Sequence, residues 1–340
     1  AVPAALTRAL ALLARRGVLV VHVDAIEALA GATHVVFDKT GTLTEPCLAR
    51  EREPIVDGAI PLAAALARRS RHPVARALVD AAAGIALPVA EDVEEVAGCG
   101  LRGRVGGRAL RLGRADFAID PLQRTRHGAI ADDALVLADD DGAIAAFQLS
   151  ERVRPGARAA LAALSAQGLE LEIASGDATS KVAALAADVG IRRWHARQSP
   201  ADKLERLRAL RASGGRVVAV GDGVNDAPVL AGADVAVAIG GGSDLAQASA
   251  DVVLARADLT ALPEAIAIAR ETLQALHRNQ RWAIAYNLVA VPFGALGLVP
   301  PWLAALGMSA SSLVVVLNAT RIGRRRAFAA AGPDTREAFA

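Results

Sequence analysis

The chain has 340 residues, enough for two or three domains. Its 38 Lys and Arg stand against 36 Asp and Glu, and a net charge of +2 excludes the large basic field of a nucleic-acid binder. Two cysteines, Cys47 and Cys99, lie far apart without Cys-x-x-Cys spacing, which points to reduced, cytosol-facing thiols rather than a disulfide framework or a thiolate metal centre.

The chain opens at Ala1 without a signal peptide, and residues Ala4 to Arg16 read as a helix with Arg8, Arg15 and Arg16 on its cytosolic part. An apolar strand, His34-Val35-Val36-Phe37, then runs into Asp38-Lys39-Thr40-Gly41-Thr42-Leu43-Thr44. Ligands of α/β sheets gather outside the carboxyl ends of strands, so Asp38 is placed for chemistry. An aspartate can attack phosphorus and carry the phosphoryl group as an acyl phosphate. Alone, Asp-Lys-Thr-Gly also describes an ordinary turn.

From about 49 to 143 an inserted segment is expected. Ser70-Arg71-His72-Pro73 starts a helix with Pro73 in its first turn, and Gly98-Cys99-Gly100-Leu101 sits in a glycine-rich strand region. Such glycines permit close approach of a base or ribose. By itself a His-Pro pair is more often a cap or a packing element. The core resumes with Ala145-Ala146-Phe147-Gln148-Leu149 and helices over 155–167 and 178–188.

Leu171-Glu172-Ile173-Ala174 is a strand ending in Ser175-Gly176-Asp177. Ser199-Pro200-Ala201-Asp202-Lys203 supplies a lysine able to neutralise a transferring phosphoryl group. Arg216-Val217-Val218-Ala219-Val220 leads into Gly221-Asp222-Gly223-Val224-Asn225-Asp226-Ala227-Pro228. Aspartates at the ends of two such strands can meet around Mg²⁺, a hard cation that takes oxygen ligands. Alternating strands and helices argue a parallel sheet covered on both faces.

Trp282 to Thr320 contains 39 residues without a charged side chain, divided by Pro300-Pro301. At about 1.5 Å per residue the two halves each span about 27–29 Å, which fits a membrane-spanning helical hairpin. Arg278 and Arg281 before it, and Arg321, Arg324, Arg325 and Arg326 after it, place both ends in the cytosol. Tyr286, Asn287, Met308 and Ser312 are polar or soft groups inside it, and intramembrane polar groups mark transport paths. A methionine sulfur suits Cu(I), whereas a zinc path favours a carboxylate.

The four loop motifs together resemble the phosphorylation core of P-type ATPases, a haloacid-dehalogenase-like (Rossmann-like) α/β fold with an inserted α+β nucleotide-binding domain. The resemblance implies Asp38 as nucleophile and Asp38, Asp222 and the Thr40 carbonyl as Mg²⁺ ligands. It implies Lys39, Thr40, Ser175, Gly176, Asp177 and Lys203 around the phosphoryl group, with Asn225 and Asp226 in support. It implies His72, Pro73, Gly98 and Gly100 at the ATP, and Tyr286, Asn287, Met308 and Ser312 at a transported Cu⁺. The Tyr286-Asn287 and Met308-x-x-Ser311-Ser312 elements resemble the copper branch. Ser-Arg-His-Pro and the Ala-Val-Pro start are similar to its subgroup associated with cytochrome oxidase assembly.

The domains expected are 1–32, the cytosolic end of a preceding membrane helix and its linker; 33–48 with 144–258, the phosphorylation domain; and 49–143, the nucleotide-binding domain. A stalk helix over 259–281, two membrane helices over 282–320 and a basic tail over 321–340 complete the chain. The same resemblance implies an integral protein of a bacterial plasma membrane, supplied with copper by a chaperone, binding ATP and lipid but no nucleic acid. It implies a chain that is one portion of a pump, lacking the actuator domain and the Cys-Pro-Cys helix. Departures are Ser175 for threonine, Glu151 for aspartate, Ala67 for the acid five positions before His72, and Arg114 for the asparagine after Gly113. Phosphatases of the superfold carry a second aspartate two residues after the nucleophile; Thr40 stands there and cannot act as a general acid. A pump for Ag⁺, Zn²⁺ or Cd²⁺, or a membrane-tethered phosphatase, is the alternative.

Overall fold

The computed structural model describes residues 2–49, 58–70, 72–96, 98–119, 134–222, 227–240 and 250–323. In chain order, α1 (Val2–Arg15), β1 (Val18–Val20), α2 (Ala25–Ala30) and β2 (His34–Phe37) precede a tight turn over Lys39–Leu43 and β3 (Thr44–Leu48). Helices α3 (Ala59–Ala67) and α4 (Pro73–Ala81) follow, then β4 (Ala90–Val96), β5 (Gly100–Val105) and β6 (Arg108–Arg114). The short helix α5 (Ala115–Ala118) leads to β7 (Leu135–Ala138), β8 (Ala143–Phe147) and β9 (Leu149–Val153). Next come α6 (Ala157–Ala166), β10 (Glu170–Ala174), α7 (Thr179–Val189), β11 (Arg193–His195), α8 (Pro200–Ala212) and β12 (Val217–Gly221). The chain ends with α9 (Ala227–Leu230), β13 (Val235–Ile239), β14 (Val252–Leu254), α10 (Ala261–Ala295) and α11 (Pro301–Thr320).

Two compact units form, Ala1–Thr42 with Pro155–Ala340, and Leu43–Arg154. The first holds a seven-stranded sheet in the order β1-β14-β13-β12-β2-β10-β11. All its pairs are parallel except β1 with β14 at one edge. Every residue of β12 and β13 is buried, as the uninterrupted Val/Ala runs of a doubly covered parallel sheet require. Val36, Ala174, Val217 and Ala219 pack with Leu207 of α8 and Leu230 of α9 on one face.

The second unit carries a five-stranded antiparallel sheet, β4-β5-β6-β7-β8, and the antiparallel pair β3-β9. Its core gathers Leu66 and Leu78 from the helices with Leu101, Leu110, Leu112, Leu137 and Phe147 from the strands. The unit begins and ends at β3 and β9, which pair with each other from Thr44↔Val153 to Leu48↔Leu149. Residues 43–48 and 144–154 therefore pack with the insert rather than with the parallel sheet, because backbone pairing decides where a chain segment belongs.

The expected stalk and the first apolar stretch are one helix, α10, which runs without a break from Ala261 to Ala295. It packs on α1 and α2, and Arg270 donates to the carbonyls of Ala32 (3.2 Å) and Gln167 (3.0 Å). Beyond Arg281 it presents Trp282, Ile284, Leu288, Val289 and Val291 outward. Of the described helices, α11 is the one long and apolar enough to cross a membrane by length and composition. Asn279 of α10 accepts a hydrogen bond from Asn318 of α11 at 2.7 Å, joining the two at the base of the hairpin.

Asp139 shapes the β7–β8 turn of the second unit. Its carboxylate accepts from the amides of Asp141 (2.9 Å) and Gly142 (3.1 Å) and pairs with Arg108. Burial acts to raise this carboxyl, but the hydrogen bond and charge of Arg108 and the two amides outweigh it and hold the group below its ordinary range. A depressed carboxyl contributes stability above its unfolded pKa, and the contribution is lost as pH falls through the folded value. Asp139→Ala should destabilise the unit by about 1–2 kcal/mol near neutrality. In urea unfolding the difference should shrink at about pH 3, below the ordinary carboxylate value. An equal loss at both pH values would remove the charge from this account.

Candidate functional site

Strand β2 lies between β10 and β12, with Phe37 opposite both Ile173 and Val220. Equal register brings three loops to the same carboxyl edge. Asp38 starts the first, its amide donating to Val220 O at 2.9 Å. Its carboxylate accepts from Lys203 Nζ at 2.7 Å, with the two side chains 13% and 9% exposed. A charge pair so little exposed interacts more strongly than one in water.

Local sequence delivers the lysine. Ser199 Oγ accepts from Asp202 N and Asp202 Oδ2 accepts from Ser199 N, a capping box that starts α8 with Pro200 in its first turn. The Ser199 hydroxyl and amide hold the Asp202 carboxyl below its usual range. Lys203 follows one residue later and points at the sheet.

Gly41 is required twice. Its φ is +72°, a region that other residues enter at a cost of about 1–2 kcal/mol. A Cβ there would also stand 2.4 Å from Asp222 Oδ2, so the Asp222 carboxylate lies directly over the turn that follows Asp38. Two carboxylates and main-chain carbonyls on adjacent loops are hard oxygen donors, which is the set Mg²⁺ takes. Asp38 and Asp222 thus fit such an ion, with Thr40 on the turn between them. Ser175 is buried, its amide donating to His195 O and its hydroxyl accepting from Asp177 N at 3.2 Å. Gly176 follows at this loop, where a Cβ would be in ordinary contact with Gln198 O. Asn225 and Asp226 lie outside the described residues.

Two pairings at this edge had no sequence signal. Lys39, 3% exposed, meets Asp177 Oδ2 at 2.6 Å, which ties the first loop to the second. Glu172, fully buried on β10, is held bidentately by Arg206 at 3.0 and 2.9 Å. Arg206 is three residues past Lys203 and shares its helix face, so the clamp sets the height of Lys203 above the sheet.

In the second unit a cavity of about 330 Å³ is lined by His72, Leu78, Gly98, Gly100, Leu101 and Leu112, among others. His72 caps α4, its Nδ1 accepting from Val74 N at 3.2 Å, while also facing this cavity. Pro73 occupies the first turn of α4. Gly98 has φ +72° and open space where a Cβ would be, whereas a Cβ on Gly100 would stand 2.3 Å from Leu112 O. Gly100 is therefore also demanded by the pairing of β5 with β6. Glu95 and Arg114 line the same cavity and carried no expectation as site residues.

On the hairpin, Tyr286 packs against Gly307 of α11, where a Cβ would meet the phenol oxygen at 2.8 Å. Asn287 donates to Ala283 O at 2.9 Å, and Asn287, Met308 and Ser312 are exposed. Among the described residues no group of three or more His, Cys, Asp or Glu could hold a metal ion.

Removing one partner of a buried ion pair leaves an uncompensated charge, at about 3–5 kcal/mol. Arg206→Leu should fall near the lower end, because Arg193 and His195 also lie within 4 Å of Glu172. The double variant Glu172→Leu/Arg206→Leu should recover most of the loss in urea melts. No recovery would show that Arg206 acts through packing alone.

A family model of haloacid dehalogenase-like hydrolases matches residues 32–234. The chain is 39% identical over 326 residues to the nitrogen fixation protein FixI of Rhizobium meliloti, covering 95% of this chain and 42% of that one. It is 37% identical over 334 residues to the probable copper-transporting ATPase SynA of a Synechococcus species, covering 94% and 42%. A crystal structure of a zinc-transporting PIB-type ATPase in its E2.Pi state superposes with a TM-score of 0.63 at 30% identity, covering 94% of this chain and 55% of that one. The chain spans less than half the length of the curated relatives it matches. The chain belongs to the haloacid dehalogenase-like hydrolase family, and over nearly its whole length it is similar to cation-transporting P-type ATPases.

Proposed function

We propose that the chain is the catalytic and C-terminal membrane portion of an ATP-driven pump for a heavy-metal cation, with Cu(I) as cargo. The observation that carries this reading is the 2.7 Å contact of Lys203 with Asp38 beside Asp222. A carboxylate oxygen of Asp38 attacks the γ-phosphorus of ATP. The bond from that phosphorus to the β,γ-bridging oxygen breaks, and ADP leaves with the electron pair. No proton has to move, because the nucleophile is already ionised. Lys203 and the Ser175 hydroxyl face the charge that spreads over the phosphoryl oxygens. Asp38, Asp222 and the Thr40 carbonyl would hold Mg²⁺, which would supply further charge neutralisation.

Thr40 supports a pump over a phosphatase. Its side chain has no useful proton to give or take near neutrality, so the aspartyl phosphate persists until another group activates water. That persistence gives time for a conformational change between phosphorylation and hydrolysis.

Methionine sulfur supports copper over zinc, although relatives of both kinds exist. Met308 and Ser312 are four residues apart on one face of α11 and both are exposed, as is Asn287 on α10. We take this face to be completed by other membrane segments of the intact pump, with both ends of the hairpin cytosolic.

In the intact pump given radiolabelled ATP, Asp38→Asn should leave no acid-stable, hydroxylamine-sensitive label, and Lys203→Ala should slow labelling by about 10²–10³-fold. Label retained in Asp38→Asn would identify a different nucleophile. Met308→Ala should weaken stimulation of turnover by cuprous ion; an unaltered copper response would take Met308 off the path.

A further inference from the structure

The cavity of the second unit has an aliphatic floor, with Leu78, Leu101 and Leu112 among its walls. Position 67 is alanine, 1% exposed and packed in the core, so the site at which the family resemblance expects an acid offers no polar atom. Charge enters the cavity from the strand ends instead. Glu95 is the penultimate residue of β4 and Arg114 the last of β6, and both side chains are exposed at its rim.

The Arg114 guanidinium is held in the plane of the Asp116 carboxylate, Nε to Oδ1 at 3.2 Å and a terminal nitrogen to Oδ2 at 2.7 Å. This fork uses one edge of a group that carries five N–H donors, and leaves the other edge for a ligand. The Arg114 amide donates to Cys99 O at 3.2 Å, so the main chain that carries the guanidinium is anchored to the Gly98–Gly100 loop. An apolar slot with one carboxylate and one oriented guanidinium at its mouth has what a nucleoside needs. A flat base enters the slot, its amino group donates to the carboxylate, and ribose hydroxyls accept from the guanidinium.

We propose that Glu95 and Arg114 determine nucleotide selection in this chain. Glu95 accepts a hydrogen bond from the exocyclic amine of adenine, and Arg114, oriented by Asp116, donates to the ribose hydroxyls. This rests on the reading of the cavity as the ATP site. Recognition by a charged acceptor discriminates strongly, because an analogue lacking the amine leaves the carboxylate without its partner.

The test is calorimetric binding of ATP, ITP (a carbonyl in place of the amine) and 2′,3′-dideoxy-ATP (no ribose hydroxyls) to the full chain in detergent. The unaltered chain should prefer ATP to either analogue by about tenfold. Glu95→Gln, whose amide serves either base, should bring ATP and ITP within about twofold while the dideoxy discrimination stays. Arg114→Ala should do the reverse. This crossed pattern cannot come from general damage, and melting temperatures close to that of the unaltered chain confirm folding. Binding of ATP with either preference unchanged in its own variant, or absent from the unaltered chain, overturns the inference and leaves the ATP site standing. No binding of any nucleotide to the unaltered chain overturns both.

Discussion

The parallel pairing of β2 between β10 and β12 is the constraint on which the site depends. Registers that set Phe37 opposite Ile173 and Val220 bring three strands to an end at one level. Asp38, Ser175 and Asp222 then occupy neighbouring loops at one edge of the sheet. A shift of one residue would exchange the two faces of a strand and set each side chain among the wrong packing partners. The position of the aspartate is therefore a property of the whole sheet rather than of its own loop. Lys203 belongs to that arrangement through two devices of different kinds. A local capping box starts its helix, and a long-range clamp between Arg206 and Glu172 seats the helix on β10.

Charge at this edge is arranged in opposed pairs. Lys203 faces Asp38 and Lys39 faces Asp177, with both lysines nearly withdrawn from water. Each lysine would be costly to bury alone, and each carboxylate offsets that cost. Lys203 is thus held in place against Asp38 by its own charge partner.

The second unit and the C-terminal helices use backbone constraints in contrasting ways. In the second unit, strand packing at Gly100 and Gly113 allows no side chain, since a Cβ on either would collide with backbone at 2.3 or 2.4 Å. The floor beside His72 is built by that close approach. In the first unit, α10 carries the chain from the sheet into the apolar segment as one helix of 35 residues, about 52 Å long. Arg270 fixes its lower part to the core. Pro292 interrupts its hydrogen-bond ladder only within the apolar part, so any bend falls there and not at the junction with the core.

Much of this was legible in the residues themselves. Asp38-Lys39-Thr40-Gly41-Thr42, the apolar runs ahead of Asp38 and Asp222, the Ser-x-x-Asp start of α8 and the uncharged 39 residues each carry their meaning in a short window. Strand character, caps and hydropathy depend on neighbours in sequence, so such features survive being read one segment at a time. What the tertiary structure alone decided involves partners far apart in the chain. Lys39 and Asp177 are separated by 138 positions, Glu45 and its strand partner Arg152 by 107, and Asn279 and Asn318 by 39. The same holds for the unit boundaries at Leu43 and Arg154, the joining of stalk and first apolar stretch into one helix, and the meeting of Glu95 with Arg114 at one cavity. Pairing and burial over such separations follow from how whole sheets register and pack, and no local pattern encodes them.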